Sequence, residues 1–260
     1  MTDFEKQAEE IISKMTLDEK ISQMMNETPS IERLGIEPYD YWNEGLHGVG
    51  RNGRATVFPE PIGLAATFNP ELVRQIGDAI STESRAKYII ARKNHNFARY
   101  TGLTIWSPNI NIFRDPRWGR GMETYGEDPY LTATLGCAFV KGMQGDNPNY
   151  LKVAACGKHF AVHSGPEATR HSANIAPSKK DLWETYLPAF KALVQEAGVE
   201  IIMGAYHRVY GESCSGSKFL LTDILRRQWG FKGHITFRTN LLSAGLNHPP
   251  HHHSLLSLQS

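Results

Sequence analysis

The feature that most constrains this chain is a repeated order of a short apolar run, a polar loop and a helical pattern. Strand-like runs are predicted at 62–66, 104–106, 152–156, 200–205 and 233–236. Helical patterns follow the first four, with start signals at Asn69-Pro70, Asp128-Pro129, Ser178 and Ser217. This alternation is typical of parallel β/α units, so the sequence predicts an α/β protein.

Two sheet arrangements are compatible with such repeats. Polar residues at the C-terminal ends of the runs favour a (β/α)8 TIM-type barrel over an open sheet. A glycine-rich loop that opens a helix would indicate a dinucleotide-binding domain, and the sequence contains none. The 260 residues, 40% of them hydrophobic, suffice for one barrel-sized core. In a barrel, the polar residues that follow the strands would meet at one rim, and we expect the site there.

Composition excludes several kinds of partner. The formal net charge of +1 gives no field to attract nucleic acid or acidic lipid. We find neither a signal peptide nor a run long enough to span a membrane. A cytoplasmic protein and a mature exported form both stay open, so the localisation is unknown. The cysteines, Cys137, Cys156 and Cys214, are too few and too widely spaced for a disulfide framework and are predicted to be buried thiols.

Hydrogen-bonding and aromatic residues are concentrated after the predicted strands. The polar ones are Glu44, His47, Arg114, Asp115, Arg117, Arg120, Glu123, Lys158, His159, His163, Glu167, Arg170 and Tyr206. The aromatic ones among them are Trp42, Trp106, Trp118 and Tyr125. Sugars need this combination, because charged side chains bind hydroxyls and aromatic rings stack on the apolar face of a pyranose.

Each of these features also has a purely structural interpretation. Residues 114–117 could be a surface turn with a local ion pair. Lys158 and His159 could be a structural pair, and Met203 and Tyr206 could be core residues. The histidines at 248 and 251–253 resemble metal ligands, but they lie in a low-complexity segment without carboxylates or cysteines.

Five motifs in register carry a resemblance to a known family. They are Trp42-Asn43-Glu44-Gly45-Leu46-His47-Gly48, Arg114-Asp115-Pro116-Arg117-Trp118-Gly119-Arg120, Glu123-Thr124-Tyr125-Gly126-Glu127-Asp128-Pro129, Lys158-His159-Phe160 and Met203-Gly204-Ala205-Tyr206. From about Ile11 to Ile235 the chain resembles the N-terminal barrel of family 3 glycoside hydrolases, in the β-glucosidase and β-xylosidase branch. The resemblance implies exo-acting, retaining hydrolysis of β-linked oligosaccharides without a metal or other cofactor.

The resemblance also implies a set of substrate-binding residues for the non-reducing-end sugar. These are Glu44, Arg51, Arg120, Lys158, His159, Arg170, Met203 and Tyr206. Contacts to the sugar's 2-hydroxyl strengthen as the oxocarbenium-like transition state forms. The partner is therefore expected to be a small-molecule or oligosaccharide substrate, with glucose and xylose both open.

No catalytic residue is identified in this chain. The family's nucleophile is an aspartate in a Ser-Asp pair, and Phe237-Arg238 stands at that position. The family's acid/base residue belongs to a second domain, which is absent here, and the loop around His163 does not match the histidine variant of that role. We therefore expect little or no hydrolysis. A non-catalytic sugar-binding or vestigial protein is the alternative, and a metal-dependent hydrolase using the histidines is a third.

The resemblance divides the chain into two parts. Residues 1–238 are predicted to form a partial family 3 barrel domain, incomplete at its C-terminus. Residues 239–260 contain no charged residue and are predicted to be disordered. The change coincides with the missing Ser-Asp pair, which suggests a reading-frame slip or a truncated gene.

Overall fold

The computed structural model describes residues 3–237, and the predicted disordered segment 239–260 lies outside that range. The strands are β1 (Glu27–Thr28), β2 (Tyr39–Asp40), β3 (Thr104–Ile105), β4 (Ala154–Phe160), β5 (Asn174–Ile175), β6 (Ile201–Gly204), β7 (Arg208–Val209), β8 (Glu212–Ser213) and β9 (His234–Thr236). The α-helices are α1 (Asp3–Lys14), α2 (Leu17–Ser22), α3 (Pro61–Ala65), α4 (Pro70–Lys93), α5 (Pro129–Gln144), α6 (Lys179–Asp181) and α7 (Pro188–Gln195). Two π-helices occupy Leu182–Tyr186 and Lys218–Gln228.

A parallel sheet in the order β3-β4-β6-β9 forms the centre of the fold. Asn43 adds a parallel bridge to Ile105, so the sheet continues one position beyond β3. Helices α4, α5, α6 with α7, and the π-helix Lys218–Gln228 connect its successive members. The prediction of an α/β fold with parallel β/α units is thus confirmed. Neighbours that follow chain order are typical of a barrel wall, whereas doubly wound sheets reverse the order.

One predicted strand is wrong. Residues 62–66 form helix α3, in which Pro61 occupies the first turn and Pro61, Leu64 and Ala65 are buried. Proline is favoured in the first turn of a helix, and a buried spacing of three and four residues matches a helix rather than a strand. The sheet position before β3 is taken by Asn43, whose carbonyl accepts from Trp106 N at 2.9 Å. That residue lies outside the runs that the sequence predicted as strands.

Strand β4 extends further than its sequence pattern indicates. It was predicted to end at Cys156, but it continues to Phe160 and includes Lys158 and His159. Ile110 N donates to Lys158 O at 3.0 Å, and Ala205 N donates to Phe160 O at 2.7 Å. Backbone bonds from neighbours on both sides therefore hold this polar segment in the sheet, although its side chains are atypical of a buried strand.

Side-chain caps define where the helices begin, as the sequence predicted. The side chains of Asn69, Asp128, Ser178 and Ser217 accept from the backbone N–H groups three residues later. Thr16 and Glu19 form a capping box at the start of α2. Each such cap satisfies a backbone donor that the helix itself leaves unpaired. The prediction at Ser217 fails only in helix type, because the helix that follows has π rather than α hydrogen bonding.

The core lies on both faces of the sheet. On the helix-covered face, Leu135, Phe139, Phe190 and Leu193 are fully buried. On the opposite face, a smaller buried cluster comprises Trp106, Cys156, Ile201 and Met203, with Tyr41 and Trp42 packed against it. Cys156 and Lys158 are two positions apart in β4 and so project from the same face. The apolar face thus ends at Lys158, next to the carboxyl ends of the strands.

All three cysteines are buried and free, as the sequence predicted. Burial raises the pKa of Cys137 and of Cys214 to about 12, which keeps both thiols protonated near neutral pH.

Within residues 3–237, no helix combines the length and apolar character needed to cross a membrane.

Candidate functional site

The centre of the site is a largely buried lysine beside the Glu44 carboxylate. Lys158 Nζ lies 4.0 Å from Glu44 Oε2, and the Lys158 side chain is only 7% exposed. Trp42 Nε1 donates to Glu44 Oε1 at 2.8 Å, which fixes the carboxylate. The positive charge of Lys158 also helps to lower the pKa of Glu123. A largely buried cation with carboxylates nearby can donate to ligand hydroxyls while the carboxylates accept from them.

Arg120 and Glu123 form a paired contact beside this lysine. Arg120 Nε and Nη2 each donate to a different Glu123 carboxylate oxygen, both at 2.7 Å. Burial alone would raise the Glu123 pKa, but the hydrogen bonds and charge of Arg120, the charge of Lys158 and a hydrogen bond from Asn109 together lower it. Glu123 was not in the predicted substrate-binding set. Its spacing of three residues from Arg120, across a short 3-10 turn, was the signal in the sequence.

Asn111 positions His159. Its Nδ2 donates to His159 O at 2.9 Å, and its Oδ1 accepts from His159 N at 2.8 Å. The same Oδ1 lies 3.2 Å from His159 Nδ1, so this ring nitrogen carries the proton and Nε2 is left as an acceptor. Burial lowers the pKa of His159 well below its usual range. A neutral, oriented imidazole is therefore available as a hydrogen-bond acceptor. Asn111 was missed from sequence, although it lies in the loop after β3.

A row of buried rings continues from His159. The ring centroids of His159 and His163 are 5.0 Å apart, and those of His163 and His207 are 5.7 Å apart with the rings nearly parallel. Trp118 meets His163 edge to face at 5.2 Å. Burial, followed by nearby positive charge, lowers the pKa of His163 to about 3, and burial lowers that of His207 to about 4. His163 is therefore unprotonated near neutral pH and unsuited to act as a proton donor there.

These histidines predict acid sensitivity of the fold. An unfolded histidine takes up a proton near pH 6.5, whereas His159, His163 and His207 stay neutral in the folded chain to lower pH. Their stabilising effect is present above about pH 6.5 and is lost as the pH falls, at about 1.4 kcal/mol per pH unit for each histidine. We expect the free energy of unfolding, measured with urea, to fall from pH 7 to pH 5.

A matched pair of variants isolates this effect. His207→Asn should reduce the slope of stability against pH by about one of the three histidine contributions. The exposed His95 lies at a positive φ that asparagine tolerates, so His95→Asn should leave the slope unchanged. Equal slopes for the two variants would show that burial of His207 does not cause the acid sensitivity.

Arg170 and Tyr206 meet at the edge of the site. The Arg170 guanidinium carbon lies 5.5 Å from the centre of the Tyr206 ring, and Arg170 Nη1 lies 2.5 Å from Glu167 Oε1. The His171 ring is 4.4 Å from the Tyr206 ring. The loop after β4 and the end of β6 thus bring together two residues that are 36 positions apart in the sequence.

The remaining predicted residues differ in their placement. Met203 is 6% exposed and lies in the buried cluster, as the structural interpretation proposed. Arg51 is exposed, and its Nη1 donates to the Tyr100 hydroxyl at 3.3 Å. Its neighbour Gly50 pairs with Glu44, which brings the Arg51 backbone beside the site. Asp115 and Arg117 form an ion pair in which Arg117 is 90% exposed, which confirms the surface turn.

Most of the predicted aromatic platforms are buried. Trp106, Trp118 and Tyr125 are at most 3% exposed, whereas Trp42 is partly exposed and stacks on Trp106 at 5.3 Å. Only Trp42 of this group can therefore offer a ring surface to a ligand.

Within residues 3–237 no cluster of three histidine, cysteine or acidic side chains is arranged to hold a metal ion, and the histidines at 248 and 251–253 lie outside that range.

Several buried polar atoms at the site have no hydrogen-bond partner within the described chain. They are Trp106 Nε1, Trp118 Nε1, His163 Nε2, Arg170 Nε and His207 Nε2. Buried polar atoms are nearly always paired with protein, water or ligand. This concentration of donors and acceptors, beside a cation and two carboxylates, suits a ligand that carries many hydroxyls. A parallel β/α sheet with such a site at its carboxyl ends is compatible with a sugar-binding class of α/β protein.

Comparison with known families identifies the family within that class. The sequence model of the glycosyl hydrolase family 3 N-terminal domain matches residues 9–245. This chain belongs to that family. A xylan 1,4-β-xylosidase of Xylanibacter ruminicola is 51% identical over 234 residues, covering 86% of this chain and 27% of that protein. The probable β-D-xylosidase 7 of Arabidopsis thaliana is 42% identical over 251 residues, covering 89% of this chain and 32% of that protein.

Solved structures agree with this assignment. The exo-β-xylosidase XlnD, in complex with a xylobiose aziridine probe, has a TM-score of 0.85 at 32% identity, covering 95% of this chain and 33% of that one. The Kluyveromyces marxianus β-glucosidase in complex with glucose has a TM-score of 0.76 at 36% identity, covering 88% of this chain and 26% of that one. The present chain thus spans about a quarter to a third of the length of these relatives.

Proposed function

We propose that this chain carries the part of an exo-acting β-glycosidase site that binds the non-reducing-end sugar, and that xylose is that sugar. The observation that carries the proposal is the largely buried Lys158 in strand β4, 4.0 Å from the Glu44 carboxylate and near enough to Glu123 to help lower its pKa. Two relatives with high identity are named as xylosidases, which supports xylose over glucose.

Each group at this centre has a distinct role in the proposal. Lys158 donates to one sugar hydroxyl, Glu44 accepts from a neighbouring one, and His159 Nε2 accepts from a third. Arg120, held by Glu123, supplies further donors in a fixed plane. Hydroxyl contacts that strengthen as positive charge develops at the anomeric carbon would favour the transition state in a complete site.

Hydrolysis requires a nucleophilic carboxylate, and we assign none in this chain. The resemblance places Phe237-Arg238 where the Ser-Asp pair with the nucleophilic aspartate belongs. An arginine side chain cannot form the glycosyl-enzyme ester. We therefore propose binding with little or no hydrolysis. The sequence expectation of an inactive fragment remains a proposal.

Two measurements on the same preparation test this function. Isothermal titration should show binding of D-xylose, and 4-nitrophenyl β-D-xyloside should be hydrolysed no faster than in buffer. Absence of xylose binding would contradict the glycone site. Turnover with retained configuration would contradict the proposed inactivity. Turnover that a chelator abolishes would instead support the metal-dependent alternative.

A further inference from the structure

A second cavity, of about 480 Å³, lies outside the site described above. It forms where the β7–β8 hairpin meets the N-terminal ends of α6 and of the π-helix Lys218–Gln228. Three of its lining side chains are aromatic and exposed, namely Trp183 (39%), Tyr210 (43%) and Phe219 (37%). Exposed apolar side chains are usually scattered, so three aromatic rings around one cavity indicate a binding surface. We call it the aromatic rim site.

The rings are held in place by the surrounding structure. The Tyr210 hydroxyl donates to Pro177 O at 2.7 Å, and the Tyr210 ring meets the Phe219 ring at 6.3 Å and 63°. Beneath them, Leu182 and Val209 are almost fully buried and form an apolar floor. The aromatic surfaces are therefore preorganised, and a ligand that stacks on them would immobilise few additional side chains.

The backbone at Tyr210 is strained. Tyr210 and Gly211 form the two-residue loop between β7 and β8 and have φ values of 52° and 87°. A hairpin loop with two positive φ angles favours asparagine, aspartate or glycine, and a bulky residue there is unfavourable. An aromatic side chain at this position destabilises the hairpin. Backbone strain of this kind is concentrated at binding sites.

Polar groups border the aromatic surfaces. Lys179 and Glu212 line the cavity, and Ser217 Oγ donates to Glu212 Oε2 at 2.6 Å. A pyranose needs ring surfaces for its apolar face and charged or polar groups for its hydroxyls. The opposite charges of Lys179 and Glu212 give no preference for an anionic or a cationic ligand.

We propose that the aromatic rim site is a second carbohydrate-binding site, which holds xylopyranosyl units of a β-1,4-linked xylan chain. The choice of xylan rests on the proposed function, because the chemistry of the cavity specifies a neutral pyranose rather than its identity. This site lies apart from Lys158 and Glu44 and binds the polymer independently of the glycone site.

Affinity electrophoresis in native gels tests the proposal with soluble xylan as the probe and dextran as the control polymer. Xylan, but not dextran, should retard the chain in the presence of saturating D-xylose, which occupies the glycone site. Trp183→Ala should weaken this retardation about fivefold to tenfold, because a stacking contact is lost. Tyr130, on α5, is 81% exposed and lies outside the cavity, so Tyr130→Ala should not change it.

Tyr210→Asn gives a second readout that a purely structural role would not produce. It should raise the thermal midpoint, because asparagine is favoured at this turn, and yet weaken xylan binding. A variant that is stabilised but still binds xylan fully would overturn the role of Tyr210. Equal retardation of Trp183→Ala and the unmodified chain would overturn the site itself.

Failure of this inference is distinguishable from failure of the proposed function. Lys158→Met should lose xylose binding but keep retardation by xylan. If it loses both, while Trp183→Ala loses neither, the polymer binds at the glycone site and the aromatic rim site is overturned. If Lys158→Met leaves xylose binding intact, the proposed glycone site fails, and retardation by xylan relative to dextran still decides the aromatic rim site.

Discussion

Lys158→Met is expected to reduce the affinity for D-xylose by about 10-fold to 100-fold, since a hydrogen bond to a charged group contributes about 1.5–3 kcal/mol. Methionine preserves most of the side-chain length and its packing but removes every donor. Glu44 would keep its bond from Trp42 Nε1, and Glu123 would keep both bonds from Arg120, so neither carboxylate loses all of its partners. The variant should therefore fold.

Lys152→Met is the matched control for this variant. Lys152 precedes β4 by two residues, and its Nζ binds Asp78 Oδ1 and Thr82 Oγ1 at 2.7 Å, on helix α4. Its loss should leave xylose affinity unchanged in isothermal titration. An unchanged dissociation constant for Lys158→Met would remove Lys158 from the glycone site and with it the central argument for sugar binding.

Gly142→Ala is expected to destabilise the fold by about 3 kcal/mol or more, at the upper end of overpacking effects. Gly142 lies in α5 where this helix meets α4. A Cβ added there would overlap the backbone carbonyl oxygen of Arg74 and would lie 2.9 Å from Asp78 N. Because both neighbours are backbone atoms of a long helix, they cannot rotate away, and the two helices would have to separate.

Gly63→Ala provides the contrast within another helix. Gly63 lies in α3, is exposed, and an added Cβ would meet only Pro59 Cβ at an ordinary 3.6 Å. Here alanine should stabilise the fold by about 0.5–1 kcal/mol, because it restricts the unfolded chain. Urea unfolding of both variants measures the difference. A Gly142→Ala variant as stable as the unmodified chain would mean that α4 and α5 are not packed this closely.

Local signals in the sequence were sufficient to locate most of the elements. Asn69, Asp128, Ser178 and Ser217 were identified as helix starts because a cap is a bond between residues three positions apart. The strands at 104–106, 200–205 and 233–236 were identified from their apolar composition. Residues 62–66 were misassigned because a five-residue apolar run has no clear period, and its tertiary contacts decide between helix and strand.

The site was predicted less completely than the elements. The motifs placed Lys158, His159, Arg120 and Glu44 in one set through the family resemblance, and the structure brings Lys158 close to Glu44. Asn111 and Glu123 were missed as the residues that position His159 and Arg120. These contacts form only in the folded chain. Burial also changed the interpretation of Trp106 and Trp118, which the sequence presented as platforms for a sugar.

The sequence by itself determined the α/β class, the helix starts and the residue types available for sugar recognition, because these depend on neighbouring positions and on composition. The tertiary structure alone decided that polar Lys158 and His159 belong inside a strand, that His159 carries its proton on Nδ1, and that His163 is too deeply buried to be charged. These properties depend on desolvation and on hydrogen bonds from residues about 50 positions away, such as Asn111. They arise only when the chain packs.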